Sequence, residues 1–220
     1  MKKAVWRRFA FALVIVVISS LTSACGMIAL AVINNSYESL AGTRKDVAYS
    51  GPAFQKIIVI GLIKNGSTRI AFENAFMGQF IEQGVNTAIG SIDLPDADSL
   101  RNKSLVEKVI QEGSFDGVIT VEAKNIADNE TSQWLKTWVA IRTPGADNLF
   151  EILSNADKSP PVTSENIRFE VSLWDGKAAK QVWAGTTIAI DKHEMLRETH
   201  TAAQSTVKTL MKAKLLRPTL

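Results

Sequence analysis

Hydrophobic positions along this chain fall into three kinds of pattern. The first is an unbroken run: residues 9–18 are Phe, Ala, Leu, Val and Ile only, and the stretch stays nearly all apolar to Ile33. The second is the short β-branched run. Residues 56–63, Lys-Ile-Ile-Val-Ile-Gly-Leu-Ile, predict a strand buried on both faces, as in parallel sheets. Residues 118–123 predict another, and 85–91 a shorter one between them. The third is helical spacing. Ile70, Phe72, Phe76, Phe80 and Ile81 recur with it between Ser67, a good N-cap, and Gly84, a stop. Leu100, Leu105, Val106, Val109 and Ile110 do the same between Asp98 or Ser99 and Gly113. The order is β-α-β-α-β, and right-handed crossovers make its three strands parallel.

The second half follows other rules. Ile167, Phe169, Val171 and Leu173 alternate with Arg168, Glu170 and Ser172, which predicts a half-buried strand. Asp175-Gly176 turns the chain and 182–190 returns, an antiparallel hairpin. Trp174 and Trp183 flank that turn, where they pack into the core or the sheet and could also pair across the strands. Residues 193–216, with Leu196, Ala203, Val207, Leu210 and Met211, predict a closing amphipathic helix. Periodicity fails over 131–165, which carries Trp134, Trp138 and Phe150 among Pro144, Gly145, Pro160 and Pro161. Part of it, 131–142, has strand character; the whole reads as an irregular insertion. Residues 34–55 are polar and mixed, with Gly42, Gly51 and Pro52, and read as a tether.

The expected fold class is α/β: a two- or three-layer mixed sheet, with a parallel β-α-β-α-β core followed by an antiparallel hairpin and a C-terminal helix. The expected divisions are a signal over 1–24, an anchor and tether over 25–55 and a single domain over 56–217.

Charge changes the picture at the N-terminus. Lys2, Lys3, Arg7 and Arg8 precede the apolar run, and Leu21-Thr22-Ser23-Ala24-Cys25 follows it, the layout of an export signal. Arg7-Arg8 lacks the flanking pattern of twin-arginine export. The chain's single cysteine, Cys25, sits where a lipobox places it, with Thr22 where that pattern usually has Leu. This stretch resembles the lipobox of bacterial lipoproteins, in which the cysteine is lipidated and the chain is cut before it. The alternative is an uncleaved span, since 9–33 is long enough at 1.5 Å per residue to cross about 30 Å of hydrocarbon. Removing the signal takes Lys and Arg from 25 to 21 against 22 Asp and Glu, so the formal +3 becomes about −1. Nothing in that balance attracts nucleic acid. With Cys25 used as an anchor, no thiol remains for a disulfide, a nucleophile or a zinc site.

The order of elements, with Glu73 inside the first helix, Gly84-Val85, Phe115 to Ile119, Leu173-Trp174-Asp175-Gly176-Lys177 and Val182-Trp183-Ala184-Gly185, resembles small bacterial envelope lipoproteins. It is similar in plan to the α/β domains of the penicillin-binding-protein activator and curli secretion lipoproteins. The resemblance implies an accessory or binding role and brings no catalytic residue with it.

Candidate chemistry is sparse. Residues 61–68 sit where a phosphate loop would, but Ser67 stands where that loop needs Lys. His193 and His200, seven apart with Glu194 and Glu198 nearby, lack the His-Glu-x-x-His spacing of a metal helix. No Gly-x-Ser-x-Gly accompanies them, so nucleophilic catalysis has no base beside a serine. Asp93, Asp96 and Asp98 surround Pro95 without calcium-loop spacing and read as a polar loop with a helix cap. Trp134, Trp138 and Phe150 are the candidate binding residues, since aromatic side chains dominate binding hot spots and irregular insertions are often functional. The expectation is a non-catalytic module without cofactor or metal. It is held by lipidated Cys25 at a bacterial envelope membrane, the outer one facing the periplasm, and binds an envelope protein. The alternative is a periplasmic small-ligand carrier or hydrolase.

Overall fold

The computed structural model describes residues 40–126, 148–156, 163–188 and 190–219. In chain order the elements are β1 (Leu40–Lys45), β2 (Lys56–Leu62), α1 (Gly66–Glu82), β3 (Asn86–Ile89), α2 (Ala97–Arg101), α3 (Lys103–Glu112), β4 (Gly117–Asn125), α4 (Leu149–Ser154), β5 (Asn166–Asp175), β6 (Gln181–Thr187), β7 (Ile190–Asp191) and α5 (Met195–Lys212). A single mixed sheet runs β1-β6-β5-β4-β2-β3, with β7 paired to the start of β5. β2 lies parallel to β3 and β4; β4, β5, β6 and β1 pair antiparallel.

β2 explains the layering. Its side chains alternate between two dry environments. Ile57 and Val59 join Phe72, Phe76 and Phe80 of α1 and Ala203, Val207 and Leu210 of α5. Ile58, Ile60 and Leu62 join Leu100 of α2, Val106 and Ile110 of α3, and Leu149 and Leu153 of α4. A strand covered on both faces has no polar alternation to show, hence its continuous apolar run. Helices therefore cover the sheet on both sides, and each buried Phe of α1 contributes roughly 1.5–3 kcal/mol. Phe72 meets Phe169 of β5 edge to face at 4.9 Å between ring centres.

Several expectations are corrected. The stretch read as a tether contributes β1, which pairs along β6 from Leu40↔Thr187 to Lys45↔Trp183, and Phe54 is buried and bonded to the chain end through Leu215 and Arg217. β1 escaped notice because Leu-Ala-Gly-Thr-Arg-Lys is a half-buried edge strand with almost no β-branched content. Asn65, not Ser67, caps α1, accepting from the Thr68 amide at 3.0 Å. Phe72, Phe76 and Phe80 claim the buried stripe of α1, so Ile70 and Ile81 face outward, 45% and 55% exposed. The second expected helix is two, divided at Asn102, which ends α2 and caps α3 through the Leu105 amide. Leu196, placed on the apolar face of the last helix, is exposed.

Trp174 and Trp183 are core residues, as the packing reading has it, but they do not pair with each other. Leu173, not Trp174, stands opposite Trp183. Side chains alternate along a strand, so Trp174 points to the other face. Trp183 lies in the cluster under α1 and α5; Trp174 lies in the cluster under α3 and α4 and donates its indole N–H to Thr120 Oγ1 at 2.9 Å.

The two-faced core makes a stability prediction. Phe76→Ala should cost about 3–5 kcal/mol in denaturant unfolding. Ile70→Ala, one turn and a half away on the outer side of the same helix, should cost under about 1 kcal/mol. Equal losses would mean that the buried stripe of α1 is misassigned.

Candidate functional site

The chain leaves β2, returns through α1 to β3 on one side, then crosses to β4 on the other. Crevices form at such reversals, beyond the carboxyl ends of parallel strands. Here Lys64, Gly66, Arg69, Pro95, Asp96 and Leu100 help line a cleft of about 160 Å³.

One of its lining residues, Arg69, belongs to a buried ion pair. Glu73, on the same side of α1 as the three phenylalanines, has no exposed surface. Its Oε1 accepts from Arg69 Nε at 2.8 Å and from the Gly61 amide at 2.9 Å; its Oε2 accepts from the Ser91 amide at 2.8 Å. One carboxylate thus joins α1 to the end of β2 and to the turn after β3. Arg69 is 3% exposed, and its Nη2 has no partner among the described residues. Gly90 makes room for this arrangement: a Cβ there would stand 2.9 Å from Ile60 Cγ1 and 3.5 Å from Arg69 Nη2.

The acidic loop does what a polar loop with a cap does. Asp96 caps α2 in a capping box with Ser99, and the hydrogen bonds from the Ser99 side chain and amide hold its carboxyl below the ordinary aspartate range, with Arg69 adding attraction. A depressed folded value gives a contribution present above the unfolded aspartate pKa and lost as pH falls through the lowered one. Asp98 pairs with Arg101.

A larger groove of about 520 Å³ lies at the opposite end of the sheet, lined in part by Ile110, Phe115, Asp116, Phe150, Gly176 and Lys177. Asp116 is occupied with fold-making, accepting from the Gln55 and Lys56 amides, both at 2.8 Å. Phe150 is half-buried on α4, with Lys103 Nζ 4.9 Å from its ring centre. Part of the expected irregular insertion is therefore an ordered helix whose Leu149 and Leu153 belong to the core. Trp134, Trp138 and Cys25 lie outside the described residues. The structure does not bring Phe150 and the Arg69 cleft together; they stand at the two ends of the sheet.

The histidines are exposed and belong to different elements, His193 in the turn before α5 and His200 within it. His193 Nε2 lies 3.3 Å from Glu165 Oε2, and with Asp191 these residues place three ligand-type atoms within 4.8 Å of one another. That is ligand-type spacing the sequence separation had hidden. The groups are already engaged, however. Lys192 Nζ donates to Glu165 at 2.7 Å and lowers its pKa by that bond and its charge, and Asp191 accepts from the His193 amide.

Sequence reasoning missed Arg69 as a site residue and met Glu73 only as part of a resemblance. The signal was present: two opposite charges at i and i+4 on the same helical stripe as Phe76 and Phe80.

No known family's sequence pattern matches the chain, and no curated protein matches it. Among solved structures, two PelC dodecamer structures from Paraburkholderia phytofirmans, one of them a point variant, superpose with TM-scores of 0.42 and 0.41 at 11% identity, covering 81% of this chain and 99% of theirs. A DUF4136 family protein from Bacteroides thetaiotaomicron superposes with a TM-score of 0.37 at 11% identity, covering 80% and 96%. Likeness at that level transfers no residue role to this chain.

Glu73→Ala should destabilise the protein by about 3–5 kcal/mol, because Arg69 is left as an uncompensated buried charge. The double change Arg69→Met with Glu73→Leu should recover only part, since the Gly61 and Ser91 amides then lack an acceptor at about 1–3 kcal/mol each. Urea unfolding of the three proteins checks this, and a single-mutant loss below about 1 kcal/mol would remove Glu73 as the tie between strands and helix.

Proposed function

We propose that this chain is a lipid-anchored, non-catalytic accessory or binding module of the bacterial cell envelope. The observation that carries the reading is the basic head, apolar run and solitary Cys25 after Leu21-Thr22-Ser23-Ala24. Among the described residues no helix is long and apolar enough to cross a membrane. Further support comes from how the polar groups are used. Glu73 and Asp116 spend their carboxylate oxygens on backbone amides that hold strand ends in place. The partner is an envelope protein, met by the aromatic segment with Trp134, Trp138 and Phe150.

Two experiments test this. Cells expressing the wild type should incorporate labelled palmitate into the protein, and cells expressing Cys25→Ala should not; equal incorporation removes the anchor. Trp138→Ala should abolish co-purification of membrane partners while thermal melting stays near wild type; Phe150→Ala should weaken co-purification and also lower the melting temperature, because Phe150 packs against the core around α3 and α4. A large drop in melting temperature for Trp138→Ala would instead assign that side chain to packing, at the cost usual for aromatic truncation, about 3–5 kcal/mol.

A further inference from the structure

We propose that Glu165, Asp191 and His193 together bind a zinc ion. The inference rests on the folded domain alone. It is independent of the anchor and of the aromatic segment.

The backbone that carries these side chains is fixed by the sheet. β7 pairs with the first residues of β5, Asp191 opposite Asn166 and Ile190 opposite Ile167. Ile167 and Ile190 are buried in the cluster under α1 and α5, which ties this short ladder to the core. The Lys192 amide donates to the Glu165 carbonyl at 2.9 Å and extends the pairing by one residue. Asp191 then turns the chain, its Oδ1 accepting from the His193 amide at 2.8 Å. Strand pairing and one turn thus bring three ligand types from two distant segments to one place. All three side chains are exposed, so an ion reaches them from solvent without any opening of the fold.

The donor atoms have the spacing of a coordination shell. One atom from each side chain lies within 4.8 Å of the other two. His193 Nε2 and Glu165 Oε2 are 3.3 Å apart. With zinc bonds of about 2.0–2.2 Å to nitrogen and oxygen, neighbouring ligand atoms on a tetrahedron stand about 3.3–3.6 Å apart. A histidine–glutamate ion pair accounts for that one contact. It does not account for a second carboxylate, Asp191, drawn to the same imidazole. The present hydrogen bonds are compatible with the ion. Lys192 Nζ holds Glu165 by its other oxygen, Oε1, at 2.7 Å. That is where an outer-shell donor sits when it orients a ligating carboxylate. Asp191 has a second oxygen beyond the one that bonds the turn. The donor set also selects the metal: calcium and magnesium take oxygen ligands, whereas imidazole beside carboxylate suits zinc. Three protein ligands leave the fourth position to water.

The test uses the full-length protein in detergent micelles, stripped with a chelator and titrated with zinc chloride by calorimetry, with thermal melting alongside. One zinc ion per chain should bind in the micromolar range and raise the melting temperature. His193→Ala and Glu165→Gln should each weaken binding by at least about tenfold. Without metal both variants should melt near the wild-type temperature, because exposed side chains and exposed ion pairs contribute little to stability. His200→Ala removes the other exposed histidine and should leave zinc affinity unchanged. Millimolar calcium or magnesium should not displace the zinc. No binding at about 100 µM zinc overturns the proposal. So does an affinity that His193→Ala or Glu165→Gln leaves unchanged, and so does one that His200→Ala abolishes. Displacement of zinc by calcium would mark a plain carboxylate cluster and overturns it as well.

Discussion

A carboxylate sealed from water must find its hydrogen bonds inside the protein, and Glu73 finds three of them on three separate pieces of chain. Arg69 comes from the same helix, Gly61 from the end of β2 and Ser91 from the turn after β3. Each partner supplies a donor that would itself be costly to bury alone. A buried charge, a buried countercharge and two strand-end amides meet on one carboxylate, which leaves only Arg69 Nη2 of this group without a partner among the described residues. It fixes how far α1 stands along β2, and so where the first turn of α1 meets the loop carrying Asp96. The cleft exists at that meeting.

The same helix faces two demands. Phe72, Phe76 and Phe80 hold it to the sheet by burial, a term without direction. Glu73 holds it by bonds that have direction and length, with Arg69 as its ion-pair partner on the same helix. Burial alone would tolerate a slide by a fraction of a turn; a carboxylate shared between two backbone amides at 2.8 to 2.9 Å would not. Gly90 belongs to this logic, since a Cβ there would press on Ile60 and the Val59 carbonyl beside the Arg69 guanidinium.

Much of the architecture was legible wherever burial leaves a period in the sequence. The mixed α/β sheet and the closing helix follow from the apolar runs of β2 and β4, the alternation in β5 and the spacing of Ala203, Val207 and Leu210. What was hidden had no period to read. β1 packs only partly and carries one β-branched residue, so it reads as linker. A Trp174–Trp183 pair is suggested by distance to the turn and forbidden by the face each residue occupies; the irregular register between Leu173 and Trp174 adds to this. Helix ends were legible at their glycines. Gly84 takes a φ of 73° after α1, with the Val85 amide bonding back to Phe80, and α3 ends at Glu112 with Gly113 as its C-cap, although the left-handed residue there is the following Ser114. The site was illegible for a different reason. Arg69 and Glu73 looked like ordinary helix-surface charges until the phenylalanine stripe was seen to run through them.

The placement of β1 bears on how the protein meets mechanical load. If Cys25 carries a lipid as proposed, 14 residues would separate it from Leu40, a reach of roughly 50 Å at full extension. Force drawn from a membrane would then enter the described domain at the first residue of an edge strand that is paired on one side only. The next fixed point inward is Phe54, bonded at both its amide and its carbonyl to the chain end. Peeling β1 from β6 would about double the leash, to roughly 100 Å, while leaving the cluster around β2, α3 and α4 intact. On such an anchor the edge strand would be a reserve of length, given up at the cost of its pairing to β6 and of the contacts Leu40 makes with the core.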